Sequence, residues 1–191
     1  MNETLLTGKL VRLCAEEPEA MAKAFSGWSA DSEYLRLLDW DPANRYSVKH
    51  SLKWLEKDYE NENRFFFAIR RLAEKDVIGF IVLNGIRWTH GETFVGIGLG
   101  DRAAWGRGYG TDAMQVALRF AFMELNLERV ALDVFEYNPR AIRSYEKAGF
   151  VIEGRERGTL LREGRRWDLV FMGILREEWL QHGKKKGKRS L

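Results

Sequence analysis

Residues 92–135 constrain the fold more than any other part of the chain. ETFVGIGLG alternates apolar or β-branched residues (Thr93, Val95, Ile97, Leu99) with glycines (Gly96, Gly98, Gly100), the period-two pattern of a strand with one packed face and one bare face. DRAAWGRGYGTDAM then brings three alternating glycines to the start of a helix-forming run, and RVALDVFEY follows as another strand. Strand, helix and strand make a βαβ unit with parallel strands and its ligand side at their carboxyl ends. Glycine inside a strand weakens it, so repetition on one face marks a bulge or the close approach of a ligand or another backbone.

The flanking sequence supplies the rest of a sheet. KLVRLCA (Lys9 to Ala15) reads as a first strand, and Pro18 opens a helix in PEAMAKAFSGW. SVKHSLKWLEKDYENEN starts on Ser47, a candidate N-cap, and lines up Leu52, Leu55 and Tyr59 on one face. The aromatic and acidic SADSEYLRLLDWDPANRY between these helices is expected to be partly loop. RFFFAIRR, VIGFIVLNGI and ETFVGIGLG form an antiparallel meander. After the glycine turn a helix is expected from about Gly108 to Leu125, burying Ala113, Val116, Ala117, Phe120, Ala121 and Met123, with Asn126 as its stop. In NPRAIRSYEKAGF, Asn138 can cap, Pro139 fits the first helical position and Gly149 fits the left-handed position beyond the end. A hairpin of roughly Phe150 to Leu161 and Arg166 to Leu175, turning at REGR, closes the chain. The fold class is therefore α/β (α+β): a mixed, mostly antiparallel central sheet with a βαβ unit and flanking helices.

At 191 residues the chain suits one filled core, expected over residues 1–182. No apolar stretch approaches the ~18 residues of a membrane span, and MNETLLTGKLVRL lacks the basic and apolar regions of a signal peptide, so a cytoplasmic address and no membrane partner are expected. Five of the 31 basic residues fall in GKKKGKRS, and without them the 28 acidic residues slightly outnumber the basic ones. The basic pI is thus a property of the tail, residues 183–191, which is expected to be disordered. It argues for no basic face and against nucleic acid as a partner, an adaptor role resting on the tail alone. Cys14 is the sole cysteine and suits a small buried residue after the first strand, with a nucleophile as its alternative. His50, His90 and His182 are scattered, and no metal is expected.

Backbone N–H groups at a helix start are unpaired and face positive dipole potential, so glycines there make an anion cradle, most simply for a phosphate. Arg102 and Arg107 add charge, and Thr111 can donate a hydroxyl. A P-loop would need GxxxxGK followed by Ser or Thr, which is absent. A dinucleotide fold is disfavoured because Gly106, Gly108 and Gly110 give GxGxG and antiparallel strands precede the turn.

Two motifs carry a resemblance. Trp105-Gly106-Arg107-Gly108-Tyr109-Gly110 is similar to the [Arg/Gln]-x-x-Gly-x-Gly/Ala turn of the GNAT N-acetyltransferase superfamily, and Asn138, Ala141, Tyr145, Gly149 and Phe150 match its Asn-x-x-Ala-x-x-x-Tyr-x-x-x-Gly-Phe signature. The likeness runs from KLVRL to the closing hairpin, and EGRRWDLVFMGILREEW resembles the branch holding ribosomal-protein N-terminal and spermidine acetyltransferases. It implies the GNAT acyl-CoA N-acyltransferase fold and an acetyl-CoA cosubstrate. The resemblance further implies pyrophosphate contacts at Arg107, Gly108, Tyr109, Gly110 and Thr111 with Arg102 nearby, pantetheine contacts at Gly98, Leu99 and Gly100, and cofactor contacts from Asn138 and Tyr145. Trp105 departs from the family's Arg or Gln, which leaves its contact open.

The implied reaction moves an acetyl group from the CoA thioester to a primary amine by direct attack. Tyr145 matches the family's general acid, a neutral phenol able to protonate the departing thiolate. By location, Glu92 and Asp133 are candidates for the base. A lysine-like or polyamine amine with pKa ~10.4 costs roughly 4.6 kcal/mol to deprotonate at pH 7, an α-amine of pKa ~8 only about 1.4 kcal/mol. Asp31, Glu33, Asp39 and Asp41 can attract a cationic amine or serve as surface acids and caps. The expected partner is an amine substrate, either a protein N-terminus or a small polyamine-like molecule. The alternative is a non-catalytic acyl-CoA-binding or sensing module. Exposed strands leave room for a homodimer, and nothing in the sequence requires one.

Overall fold

An antiparallel run of four strands begins the sheet. The computed structural model describes residues 5–73 and 76–187. Strands β1 (Val11–Cys14), β2 (Arg64–Arg71), β3 (Val77–Arg87) and β4 (Glu92–Leu99) pair antiparallel, each with the next. Strand β5 (Arg129–Phe135) is parallel to β4, as a strand reached through a helical crossover can be. The hairpin of β6 (Val151–Arg162) and β7 (Arg165–Leu175) inserts its second strand beside β5, giving the order β1-β2-β3-β4-β5-β7-β6. Its two-residue turn uses Glu163 and Gly164 at φ 56° and 69°, the left-handed pair that matches strand twist.

Helices cover both faces. Helices α1 (Pro18–Trp28), α2 (Ser32–Leu38) and α3 (Val48–Tyr59) lie on one face, where Met21, Ala22 and Leu55 pack with Ala68, Phe80 and Val82. Helix α4 (Tyr109–Arg119) lies on the other, where Met114, Ala117 and Leu118 pack with Ile69, Ile81, Leu83 and Val95. Directly paired residues share a sheet face. Since Gly96 pairs with Val82 and Gly98 with Phe80, the bare side of β4 looks toward α1, α2 and α3.

Local punctuation works as the sequence predicts. Ser47 accepts from the His50 N–H at 3.1 Å to start α3. Asn138 accepts from the Ala141 N–H at 3.2 Å to start α5 (Pro139–Ala148), which ends at Gly149 with φ 114°. Inside α4, Asp112 reaches back to the chain's first strand and accepts from the N–H groups of Lys9, Leu10 and Val11.

Three expectations need correction. The first strand is shorter than Lys9 to Ala15. The segment expected to be partly loop is so, and its ordered part, α2, is capped by Asp31 and buried through Tyr34 and Leu35, an apolar face too brief to register as periodicity. Met123 is 50% exposed and Phe122 fully buried, because Phe120–Glu124 forms a π-helical turn, with the Leu125 N–H bonded to the Phe120 carbonyl. The extra residue per turn rotates the phase that a 3.6-residue period extrapolates. Finally, helix α6 (Arg176–Gly187) carries the backbone of 183–187, so these residues are not the start of a disordered tail. Lysine is a good helix former and suits the negative end of a helix dipole; residues 188–191 lie outside the described residues.

Candidate active site

The ladder between β4 and β5 ends early. It pairs Glu92 with Arg129, Thr93 with Val130 and Phe94 with Ala131, and goes no further. Beyond it, β4 keeps β3 as a partner through Leu99, and β5 keeps β7 through Phe135. The two strands therefore splay at their carboxyl ends. A cavity of about 1030 Å³ occupies the opening and is lined from both faces of the sheet. Gly106, Gly108, Gly110, Thr111, Asn138, Ser144 and Tyr145 line it from the α4 and α5 side. Tyr34, Leu38, Tyr46, His50 and Trp54 line it from the α1 to α3 side, and the splayed edges Val95–Leu99 and Asp133–Phe135 border the passage between them.

On the first side, the turn entering α4 is built for bare backbone. Gly106 and Gly108 hold φ 73° and 87°, which side chains rarely adopt, and Gly108 is the N-cap. The first bond into the helix is Asp112 N–H to the Gly108 carbonyl at 3.0 Å, so the N–H groups of Tyr109, Gly110 and Thr111 have no acceptor within the helix. Trp105 acquires a role that sequence left open. Its indole N–H donates to the Leu99 carbonyl at 2.7 Å, at the end of splayed β4. The guanidiniums of Arg140 and Arg102 stand 3.7 and 4.5 Å from its ring centroid.

Of the three groups singled out for proton transfer, Tyr145 and Asp133 border the opening. Burial raises the Tyr145 hydroxyl above the ordinary phenol range, with the Asp133 carboxyl adding to the effect, so the phenol is neutral at physiological pH. Burial likewise raises the Asp133 carboxyl above its usual value. Asn138 is buried and lines the cavity from the start of α5. Gly98 and Leu99 line it from β4.

Other sequence candidates lie elsewhere. Glu92 sits at the opposite, paired end of β4 in ion pairs with Arg87 and Arg129, away from the cavity wall, so it is not placed to act as the base. Gly100 is covered by Trp28, not by the cavity. Arg102 turns to the carboxylates of Asp31 and Glu33, which removes both acids from a substrate-attracting role. The Arg107 side chain is exposed, and the Tyr109 ring packs on the core beneath Arg71.

Sequence reasoning missed several lining groups. Ser144 and Thr111 share a hydrogen bond of 2.7 Å that joins α5 to α4, so the Thr111 hydroxyl already has a partner. Arg140 lines the cavity as well. Of the four acids that sequence had offered for attracting a cationic amine, Asp39 and Asp41 border the other side near Tyr46, whose hydroxyl is raised by burial and by both carboxylates. Arg162 holds this segment by donating to the carbonyls of Asp39, Trp40 and Asp41. Among the described residues the Tyr34 hydroxyl has no hydrogen-bond partner, and no group of His, Cys, Asp or Glu is arranged to hold a metal. No described helix is long and apolar enough to cross a membrane.

Comparison with known proteins gives this geometry a context. A family model described as an acetyltransferase (GNAT) domain matches residues 10–151. The SPbeta prophage-derived uncharacterized N-acetyltransferase YokL of Bacillus subtilis is 29% identical over 184 residues, covering 96% of this chain and 100% of that protein. Spermidine N(1)-acetyltransferase of Vibrio cholerae is 31% identical over 140 residues, 66% of this chain and 80% of that protein. A crystal structure of spermidine N-acetyltransferase from Vibrio cholerae in complex with CoA and spermine superposes with a TM-score of 0.79 at 23% identity, covering 89% and 98% of the two chains, a likeness of fold.

Proposed function

The chain belongs to the GNAT acetyltransferase family, and from that premise we propose that it transfers an acetyl group from acetyl-CoA to a primary amine, a protein N-terminal α-amine or a small polyamine-like molecule. The observation that carries this reading is the cavity that passes through the sheet where β4 and β5 part, with Asp133 and Tyr145 at the opening. It supports one ligand reaching the opening from each face.

The residues present fit the cosubstrate. A Cβ on Gly106 would meet nothing within 4 Å, and one on Gly108 would meet only Leu10 at 3.5 Å, so bare backbone stands open where a diphosphate needs donors. The N–H groups of Tyr109, Gly110 and Thr111 would hold the diphosphate, with Arg107 adding charge from outside. The edge of β4 at Gly98 and Leu99 offers backbone groups to an amide-bearing arm, and Asn138 adds side-chain polarity. When bound, acetyl-CoA supplies the activated acetyl thioester. Tyr145, neutral and half-buried, donates its phenolic proton to the leaving sulfur. Asp133 accepts the proton that the amine must lose, directly or through water. A carboxyl raised by burial is a better acceptor than an ordinary one, and an α-amine asks less of it than a polyamine does. We infer a cytoplasmic setting for this chemistry, where acetyl-CoA is made and used.

Release of CoA thiol from acetyl-CoA, measured across N-terminal peptides, polyamines and amino sugars, tests the reading. Turnover with at least one amine and its collapse in Tyr145→Phe are expected. Tight acetyl-CoA binding without turnover on any amine would instead make the protein an acyl-CoA sensor.

A further inference from the structure

The Arg102 side chain joins the glycine turn to the opposite wall of the cavity. It sits in the 3₁₀ turn Arg102–Ala104, just before Trp105, and stacks on the Trp105 ring. From there it crosses to the start of α2. Its Nη2 donates to Asp31 Oδ1 at 2.9 Å and to Glu33 Oε2 at 2.6 Å, while Nε also bonds Asp31. Asp31 is at the same time the N-cap of α2, accepting from the N–H groups of Glu33 and Tyr34 at 3.0 and 3.2 Å.

Helix α2 needs such anchors. It has seven residues, too few to be stable alone, so its position depends on what holds its ends. At its far end the Tyr137 hydroxyl donates to the Arg36 carbonyl at 2.5 Å, and Arg162 holds the segment that follows. At its near end Arg102 does the holding. Between them Tyr34 and Leu38 rest over Gly98, within 3.0 and 3.1 Å of where a Cβ would stand, and line the cavity on the face opposite the glycine turn.

We propose that Arg102 is a positioning residue that couples the two halves of the site: by gripping Trp105 on one side and Asp31 on the other, it makes occupancy of the glycine turn by CoA tighten α2, the wall that faces the acceptor amine. This rests on the acetyl-transfer reading above. The side chain is 52% exposed, and ion pairs at that exposure contribute little to global stability, so the contact is poorly explained as a fold-stabilising one. Arginine is required, because a planar guanidinium can stack on an indole and fork to two carboxylates at once, whereas an ammonium cannot. The same pair holds the Asp31 carboxyl below its usual range, chiefly through the Arg102 hydrogen bond.

Three variants test the coupling: Arg102→Ala, Arg102→Lys, and Asp31→Asn, which keeps a capping oxygen while removing the charge. With spermine and an alanine-initiated tetrapeptide as acceptors, Arg102→Ala is expected to raise acceptor KM about five- to tenfold, with kcat and the calorimetric Kd for CoA near wild type. Arg102→Lys recovers part of the loss, and Asp31→Asn with Arg102→Ala is no worse than Arg102→Ala alone. Hydrogen exchange needs no acceptor: CoA is expected to slow exchange of the α2 amides in the wild type and to leave them unchanged in Arg102→Ala. Equal shifts in acceptor KM and CoA affinity, additive effects of the two substitutions, or α2 exchange in the wild type that ignores bound CoA would each overturn the coupling. Failure of the wild type to bind CoA at all would remove the acetyl-transfer reading itself, and calorimetry distinguishes the two failures.

Discussion

Replacing Gly100 by alanine separates packing from ligand binding on the bare face of β4. A methyl group there would stand 1.9 Å from Trp28 Cδ2 and 2.1 Å from Cγ, atoms at the body of the ring and not at a flexible tip. Trp28 must move. Phe25 and Tyr34 meet it edge-on with centroids 5.6 and 6.2 Å away, so movement opens that aromatic cluster. Overpacking of this kind costs about 1–3 kcal/mol, and alanine returns about 0.4–1 kcal/mol by restricting the unfolded chain. The net loss of about 1–2 kcal/mol lowers Tm by about 2–8 °C in a domain of this size. Thermal unfolding followed by circular dichroism reads the stability, and calorimetry reads the affinity for CoA. The expected result is a lower Tm with CoA affinity near wild type, because Gly100 faces Trp28 and not the cavity. An unchanged Tm together with an approximately tenfold weaker Kd would refute the reasoning and return Gly100 to the cofactor.

Three other substitutions probe the site and its frame. Tyr145→Phe should lower kcat about 10²- to 10⁴-fold with acetyl-CoA KM near wild type, as steady-state thiol release will show; full activity would leave Tyr145 as a packing aromatic. Asp133→Asn should lower kcat yet, because the residue is exposed on its strand, raise stability only slightly at pH 7. A carboxyl whose native pKa is raised by burial loses stability as pH climbs from its unfolded value through the native one, so the gain in urea denaturation should vanish in acid below both. Asp112→Ala strips the acceptor from three N–H groups, held at 3.1, 2.8 and 3.0 Å. Val11 is fully buried, so the loss should reach about 2–4 kcal/mol by urea denaturation, and a negligible change would mean that water replaces the carboxylate there.

What could be read from the sequence was what neighbouring residues decide. Asn138, Pro139 and Gly149 bracket α5 through bonds spanning a few positions, and Glu163 with Gly164 turns the last hairpin by backbone preference alone. The alternation in β4 correctly separated a packed face from a bare one. It could not say what fills the bare face: at Gly98 the space is shared by Phe80, Tyr34 and Leu38, and at Gly100 it belongs to Trp28. Met123 was misplaced because one π-helical turn changes the period, which no pattern of apolar residues announces. Glu92 was misplaced for a different reason, since Arg87 and Arg129 reach it only after the sheet assembles. Trp105 was opaque because its partners Leu99, Arg102 and Arg140 come from a strand, a 3₁₀ turn and a helix.

The splay of the sheet and the glycine turn are one device. Strands β4 and β5 share only three residue pairs, and past Phe94 and Ala131 each gives up a partner on the side of the gap while keeping one on the other. Backbone donors and acceptors exposed in this way are costly to bury unless something meets them. At the far end of β4 the protein meets one itself, through the Trp105 indole on the Leu99 carbonyl. The residue that opens the glycine turn thus also fixes the end of the strand that the turn leaves. Arg102 and Arg140 clasp the same ring, so the positions of the strand edge, the N–H groups at the start of α4 and the first turn of α5 are set by one side chain. An arginine or glutamine at this position would offer a polar arm but no broad ring for two guanidiniums to stack on. The tryptophan therefore holds this corner by stacking as well as by its hydrogen bond to Leu99.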